Sequence, residues 1–242
     1  MGLISREWVQ CPKCGNKTIK SEFCMWCGNR QTLVVAQPSQ VLEFKKPSTL
    51  SEAKPAAKPI QYTYNFKVVF LGDIAVGKTS IIRRYTQGLF TPEYYPTFDA
   101  TVHMKTVELP PFKIEFSIWD TAGGVPDEEK ARTLLGTADV SVLVYEISRR
   151  SSFQSLKNYY ELIRRLAPSS YIQIVGNKID LGFRQVQTAE AEQLVTGLGA
   201  DYIETSAVLG TNIDKLFNRN VRECLKKKLE TVRREMQKDG VG

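Results

Sequence analysis

The chain has 242 residues, 42% of them apolar and 24% charged, with a formal net charge of +7 and five cysteines. That balance is close to the average for folded soluble proteins, so a sizeable core is possible, and the length suits one ordinary domain plus something small. No stretch approaches the ~18–20 consecutive apolar residues of a membrane helix. No charged-then-apolar signal sequence opens the chain, and the expected location is cytoplasmic.

The charge sits on the two ends. Residues 1–60 carry nine Lys/Arg against four Asp/Glu, and residues 219–242 carry eight against four. Residues 61–218 hold 16 against 18 and are slightly acidic. Basic ends suit anionic lipid or nucleic acid, or serve only to solvate the protein.

In chain order, residues 1–30 come first. Cys11-Pro12-Lys13-Cys14-Gly15 and Cys24-Met25-Trp26-Cys27-Gly28 repeat one pattern, nine residues apart. Two thiolates from each turn converge on one metal, and Gly after the second Cys permits the backbone bend. Four thiolates define a tetrahedral Zn²⁺ site with no open ligand position, hence a structural one. Redox-active thiols are the competing reading. The spacing resembles short zinc ribbons of prokaryotic multidomain proteins. Such a segment has little core, so the metal would supply most of its folding energy. Trp26, Lys13, Lys17 and Lys20 suit binding of protein or nucleic acid. Residues 31–60, with Pro38, Pro47, Pro55 and Pro59 among Ser, Ala and Lys, read as a linker.

From residue 61 to 242 strands and helices alternate. Phe66–Leu71, Val140–Tyr145 and Ile172–Val175 are apolar runs expected of strands buried on both faces. Thr101–Val107 and Ile114–Trp119 alternate and read as a strand pair. Helices are expected over 78–87, from Ser151 or Ser152 to Arg165, and from Thr188 as cap to Leu198. Ile213, Leu216, Phe217, Val221, Leu225, Leu229, Val232 and Met236 form the stripe of a long last helix ended by Gly240. Cys224 lies on that stripe as a packed cysteine, and His103 is an ordinary strand residue. The alternation implies an α/β fold: an open, six-stranded, mostly parallel sheet with helices on both faces.

Gly72-Asp73-Ile74-Ala75-Val76-Gly77-Lys78-Thr79 matches G-x-x-x-x-G-K-[ST] between a strand and a helix. Its amides and the helix N-terminus cradle phosphates, Lys78 sits over the β- and γ-phosphates, and Thr79 ligates Mg²⁺, with Ser80 following. Downstream stand Tyr95-Pro96-Thr97, Trp119-Asp120-Thr121-Ala122-Gly123, Asn177-Lys178-Ile179-Asp180 and Thr205-Ser206-Ala207.

Taken together, these five boxes resemble the Ras superfamily of small GTPases, nearest its Rab and Ras branches, over residues 65 to about 229. The resemblance implies GTP and GDP as ligands with Mg²⁺. Thr97 would bind Mg²⁺ and the γ-phosphate, and Asp120 would reach the metal through water. Phe90 would pack on guanine and Tyr94 close over the phosphates. The Asp180 carboxylate would accept two hydrogen bonds from guanine, which adenine lacks. Asn177 and Lys178 complete that box, and the Ala207 amide would meet guanine O6. Val208 replaces the usual Lys. Catalytic roles fall to Lys78, Thr97 and Gly123. Effector and regulator proteins would read Thr97 and Gly124–Glu129. A zinc ribbon joined to such a domain looks archaeal.

Two positions depart from the family pattern. Gly124 stands where a Gln normally orients the attacking water, and Ile74 replaces a small residue facing the γ-phosphate. Slow hydrolysis is therefore expected, with Asp127, Glu128 or Glu129 as substitutes to consider. The function expected is a switch. Its alternatives are a GTP-binding scaffold with little turnover, or a nucleic-acid or ribosome-associated GTPase. The acidic body weighs against nucleic acid. No cysteine near Gly242 offers a prenylation site, so membrane contact is expected to be at most peripheral, through the basic last helix.

Overall fold

The computed structural model describes residues 8–10, 17–19, 60–92 and 96–239. Two units, residues 1–54 and 55–242, are taken separately. In the first, strands β1 (Trp8–Gln10) and β2 (Lys17–Ile19) pair antiparallel with Val9 opposite Thr18. They bracket Cys11 and Cys14 in sequence. The four paired cysteines, the linker to residue 59, Tyr94, Tyr95 and Gly240 lie outside the described residues.

The second unit runs β3 (Tyr62–Leu71), α1 (Lys78–Gln87), β4 (Thr101–Leu109), β5 (Phe112–Asp120), α2 (Glu128–Leu135), β6 (Val140–Glu146) and α3 (Arg150–Gln154). It continues with α4 (Leu156–Leu166), β7 (Tyr171–Asn177), α5 (Thr188–Leu198), β8 (Asp201–Thr205) and α6 (Ile213–Asp239). The six strands lie in the order β4-β5-β3-β6-β7-β8. Only β4 runs antiparallel, against β5. This is the α/β sheet expected from the alternation of elements.

Helices cover both faces because the central strands are apolar on both. Phe70, Val142 and Val144 face α1 and α6, where they meet Ile81, Ile82, Leu216 and Phe217. Leu71, Leu143 and Tyr145 face the opposite layer, where Leu135, Tyr159, Ile163 and Ala191 pack. Burial of each such side chain contributes about 1.5–3 kcal/mol. Cys224 is buried in the first core, as expected for its place on the stripe, and burial pushes its thiol up to about 12.

The structure corrects several boundaries. β3 begins at Tyr62, not Phe66, because Tyr62 and Tyr64 run alongside β5 and meet the Phe112 ring at centroid distances of 5.9 and 6.0 Å. The single helix expected up to Arg165 is broken at Ser155, whose hydroxyl turns to Ser151 O and to Asp73. Thr188 is the first residue of α5 rather than its cap, and it donates to Glu204 instead. α2 and β8 were not anticipated. Asp127 caps α2 by accepting from the Lys130 amide at 2.9 Å. On α6 the stripe is buried only as far as Cys224, and Leu229 is exposed. Among the described residues no helix is long and apolar enough to cross a membrane.

Candidate functional site

All the parallel strands end at the same edge of the sheet, and the loops leaving β3, β5, β7 and β8 converge there. Between them lies a cavity of about 520 Å³, a size suited to a small-molecule ligand. It is lined by Ile74, Ala75, Gly77, Lys78, Thr79, Ser80, Phe90, Thr97, Gly123, Asn177, Lys178, Asp180, Ala207 and Val208, all anticipated from sequence. Leu89, Pro92, Pro96, Phe98 and Leu181 also line it and were not anticipated.

The loop from Gly72 to Gly77 is shaped by local necessity. Gly77 has φ 95°, and a β-carbon there would lie 2.3 Å from Asn177 Nδ2. Gly72 (φ 143°) admits none either, because it would fall 2.1 Å from Val144 O. α1 starts from Gly77 with no side chain capping its amides. Those N–H groups and the helix dipole are left for an anion. Buried Lys78 donates to Gly72 O (2.9 Å) and Asp73 O (3.0 Å), and burial lowers its pKa to about 8 against the opposing charges of Asp120 and Asp73. Val76 is buried beneath the loop. The Asp73 side chain is held by Tyr159 (2.9 Å) and Ser155 (3.0 Å).

Oxygens gather beside the loop. The Thr79 hydroxyl donates to Asp120 Oδ2 at 2.6 Å and lies 3.1 Å from the Thr97 hydroxyl. Among the described residues Asp120 Oδ1 is buried with no partner, and desolvation raises the pKa of this carboxyl. A hard, oxygen-seeking divalent cation fits this set, since it would satisfy the orphaned oxygen and stabilise the buried charge.

At the far end of the cavity Asp180 Oδ1 accepts from Ser206 Oγ at 2.5 Å. Asn177 acts as a strut: its Nδ2 donates to Val76 O (2.9 Å), and its Oδ1 accepts from Thr205 (3.0 Å). The strut ties the β7 and β8 loops to the phosphate loop.

Several positions were missed from sequence. Glu146, at the end of β6, accepts from Lys178 Nζ (2.8 Å) and Ser148 Oγ (2.6 Å). Burial works to raise the Glu146 pKa, but these donors hold it below the ordinary value. Arg149 Nη2 donates to Ile74 O at 2.6 Å. The readable signal was a charged pair leaving an otherwise apolar strand.

Of the three acidic residues considered as water-orienting groups, Asp127, Glu128 and Glu129, the first two are otherwise engaged. The Asp127 carboxylate caps α2, and Glu128 is bound by Arg165 (2.7 Å) and Arg132 (2.9 Å). Ile74 is 59% exposed, and its Cγ1 sits on Gly123, where a β-carbon would come within 2.5 Å of it.

A glycine-cornered loop at the strand edge, a buried lysine and a cation-shaped oxygen cluster define a phosphate-loop α/β protein. The model of the Ras family matches residues 67–226, and the chain belongs to that family. It is 37% identical over 158 residues to Ras-related protein Rab-30 of Homo sapiens, a match spanning 64% of this chain and 78% of the relative. Ras-related protein Rab-21 of Bos taurus is 33% identical over 182 residues, spanning 74% and 80%. Ras-related protein Rab-5A of Dictyostelium discoideum is 37% identical over 156 residues, spanning 64% and 78%.

Proposed function

We propose that the protein is a guanine-nucleotide switch that holds GTP or GDP with Mg²⁺ and hydrolyses GTP slowly. The observation that carries this is one cavity lined by the phosphate loop, Thr79, Thr97 and Asp180, with buried Asp120 bonded to the Thr79 hydroxyl behind it. Loop amides and Lys78 bind the phosphates. Asp180 Oδ1 is oriented by Ser206, leaving Oδ2 for a ligand, and with the Ala207 amide it selects guanine. Mg²⁺ held by Thr79 and Thr97, with Asp120 reaching it through water, would neutralise phosphate charge. Thr97 and the segment from Gly123 to Glu129 change partner binding with the state of the nucleotide.

Slow turnover follows from position 124. It has no side chain to orient water, and of the candidate substitutes Asp127 and Glu128 are otherwise engaged, which leaves only Glu129. A scaffold that holds GTP without turnover is the second reading, favoured by the same residue and by Ile74 over Gly123.

Residues 1–30 are proposed to form a zinc ribbon that recruits a partner, followed by a linker over 31–60 and the switch domain over 61–242. Supporting the ribbon are the doubled Cys-x-x-Cys-Gly and the β1–β2 pair bracketing its first copy. The site of action is the cytoplasm, with at most peripheral membrane contact.

Competition titrations with GDP and ADP test the nucleotide. Guanine should win by at least about a thousandfold, as in sites built around buried hydrogen bonds, and Asp180→Ala should remove the preference. Equal affinity for ADP would refute the reading. Zinc analysis of the same sample should give one ion for each chain, lost in Cys11→Ser.

A further inference from the structure

Tyr159 on α4 is fully buried, and its ring packs in the core beneath the phosphate loop. Its hydroxyl is not idle there. It donates to Asp73 Oδ1 at 2.9 Å, while Ser155 donates to Asp73 Oδ2 at 3.0 Å. The Gly124 N–H donates to Gly72 O, one residue before Asp73, at an N···O distance of 3.3 Å.

The two glycines beside this contact serve different ends. Gly123 has no room, since a β-carbon would fall 2.4 Å from Ile74 Cα. Gly124 has open space around it but adopts φ 104°, a direction that L side chains rarely take. Glycine at 124 is therefore required by the turn of the backbone, which aims its amide at Gly72 O, beside the Asp73 that Tyr159 holds. A core ring alone would need no hydroxyl, and a loop without an anchor would need no such turn.

We propose that Tyr159 is a positioning residue. Through Asp73 it registers the Gly123–Gly124 turn against the phosphate loop, and Gly124 is the residue that makes this anchor possible. In the same structure the Thr97 hydroxyl is drawn to 3.1 Å from Thr79. The anchor thus belongs to an arrangement in which Thr97 and Gly124 both lie against the phosphate loop and the start of α1. Resting on the guanine-nucleotide reading, the anchor favours the triphosphate form over the diphosphate.

Tyr159→Phe keeps the ring and removes the hydroxyl. Amide hydrogen exchange of residues 122–126 is measured on the full chain as purified. Affinities for GDP and a non-hydrolysable GTP analogue are measured on the same protein. Exchange should quicken about threefold to tenfold, the reach of one hydrogen bond. Affinity for the analogue should fall by a similar factor, with GDP changed less than about twofold. Tyr160→Phe, whose hydroxyl donates to Leu198 O instead, should change neither. Unchanged exchange in Tyr159→Phe, or equal loss of both nucleotides, would overturn the proposal. Should wild type bind no guanine nucleotide, the functional reading falls, yet the exchange comparison still decides the anchor. Should Tyr159→Phe fail to fold, Gly124→Ala, which redirects only the backbone, must show the same fast exchange, and normal protection there would overturn the proposal.

Discussion

Asp120 Oδ2 lies 2.6 Å from the Thr79 hydroxyl, while Oδ1 of the same carboxylate is buried without a partner among the described residues. An uncompensated buried carboxylate oxygen is costly, and a cation held through water would relieve it. Nucleotide release from wild type should therefore quicken when EDTA is added. In Asp120→Ala release should already be about 10–100-fold faster, the usual effect of losing an outer-shell metal partner, and EDTA should add little. A fluorescent-nucleotide chase reads both rates.

Placing a glutamine at position 124 should not by itself speed hydrolysis. Gln at position 124 would have to adopt φ 104°, a strain of about 1–3 kcal/mol. Gly124→Gln and Gly124→Ala should therefore lower the melting temperature alike, and neither should hydrolyse GTP more than about twofold faster in single turnover. Gly123→Ala should be worse, because its β-carbon meets the Ile74 backbone at 2.4 Å.

Glu146 and Arg149 steady two loops from one strand end. Arg149 is partly exposed, so its 2.6 Å bond to Ile74 O is discounted for solvent, to about 1 kcal/mol. Arg149→Ala should quicken nucleotide release about fivefold with little effect on melting. Glu146→Gln should loosen Lys178 and weaken guanine binding by a similar factor. Competition assays separate the two effects.

Outside the cavity lining, Glu204 gathers Arg184 (2.9 Å), Thr188 (2.9 Å) and Tyr202 (3.0 Å), and Tyr145 donates to Tyr202 at 2.7 Å. Burial works to raise the Glu204 pKa, but its donors outweigh that and hold it below the ordinary carboxylate value. A depressed folded pKa gives stability that is full above the unfolded value, about 4.3. It is lost as pH falls through that value toward the folded one. Glu204→Gln should be less stable at pH 7 by about 1–3 kcal/mol and lose less on acidification. Urea melts at pH 7 and pH 4 measure both.

The fold was legible where one signal dominated. Val140–Tyr145 and Phe66–Leu71 are short, largely apolar runs of the length expected of strands covered on both faces. β8 was not legible because Asp201, Tyr202 and Glu204 spend their polar groups on Arg219, Tyr145 and Arg184, and no apolar run marks it. Likewise Ser155 reads as an ordinary helical serine until Asp73, 82 positions away, is brought to its hydroxyl. The cavity lining was legible because phosphate and base chemistry constrain residue type at each position. The supports behind it, Tyr159, Glu146 and Arg149, were not. Their partners are distant in sequence, and their residue types serve many other purposes.

The most direct test of guanine-nucleotide binding is to denature the purified protein and identify what it releases by ion-exchange chromatography. Stoichiometric GTP or GDP is the predicted result, with GTP retained if turnover is as slow as Gly124 implies. Adenine nucleotide, or an empty protein that takes up neither GDP nor GTP when they are supplied with Mg²⁺, would contradict the account.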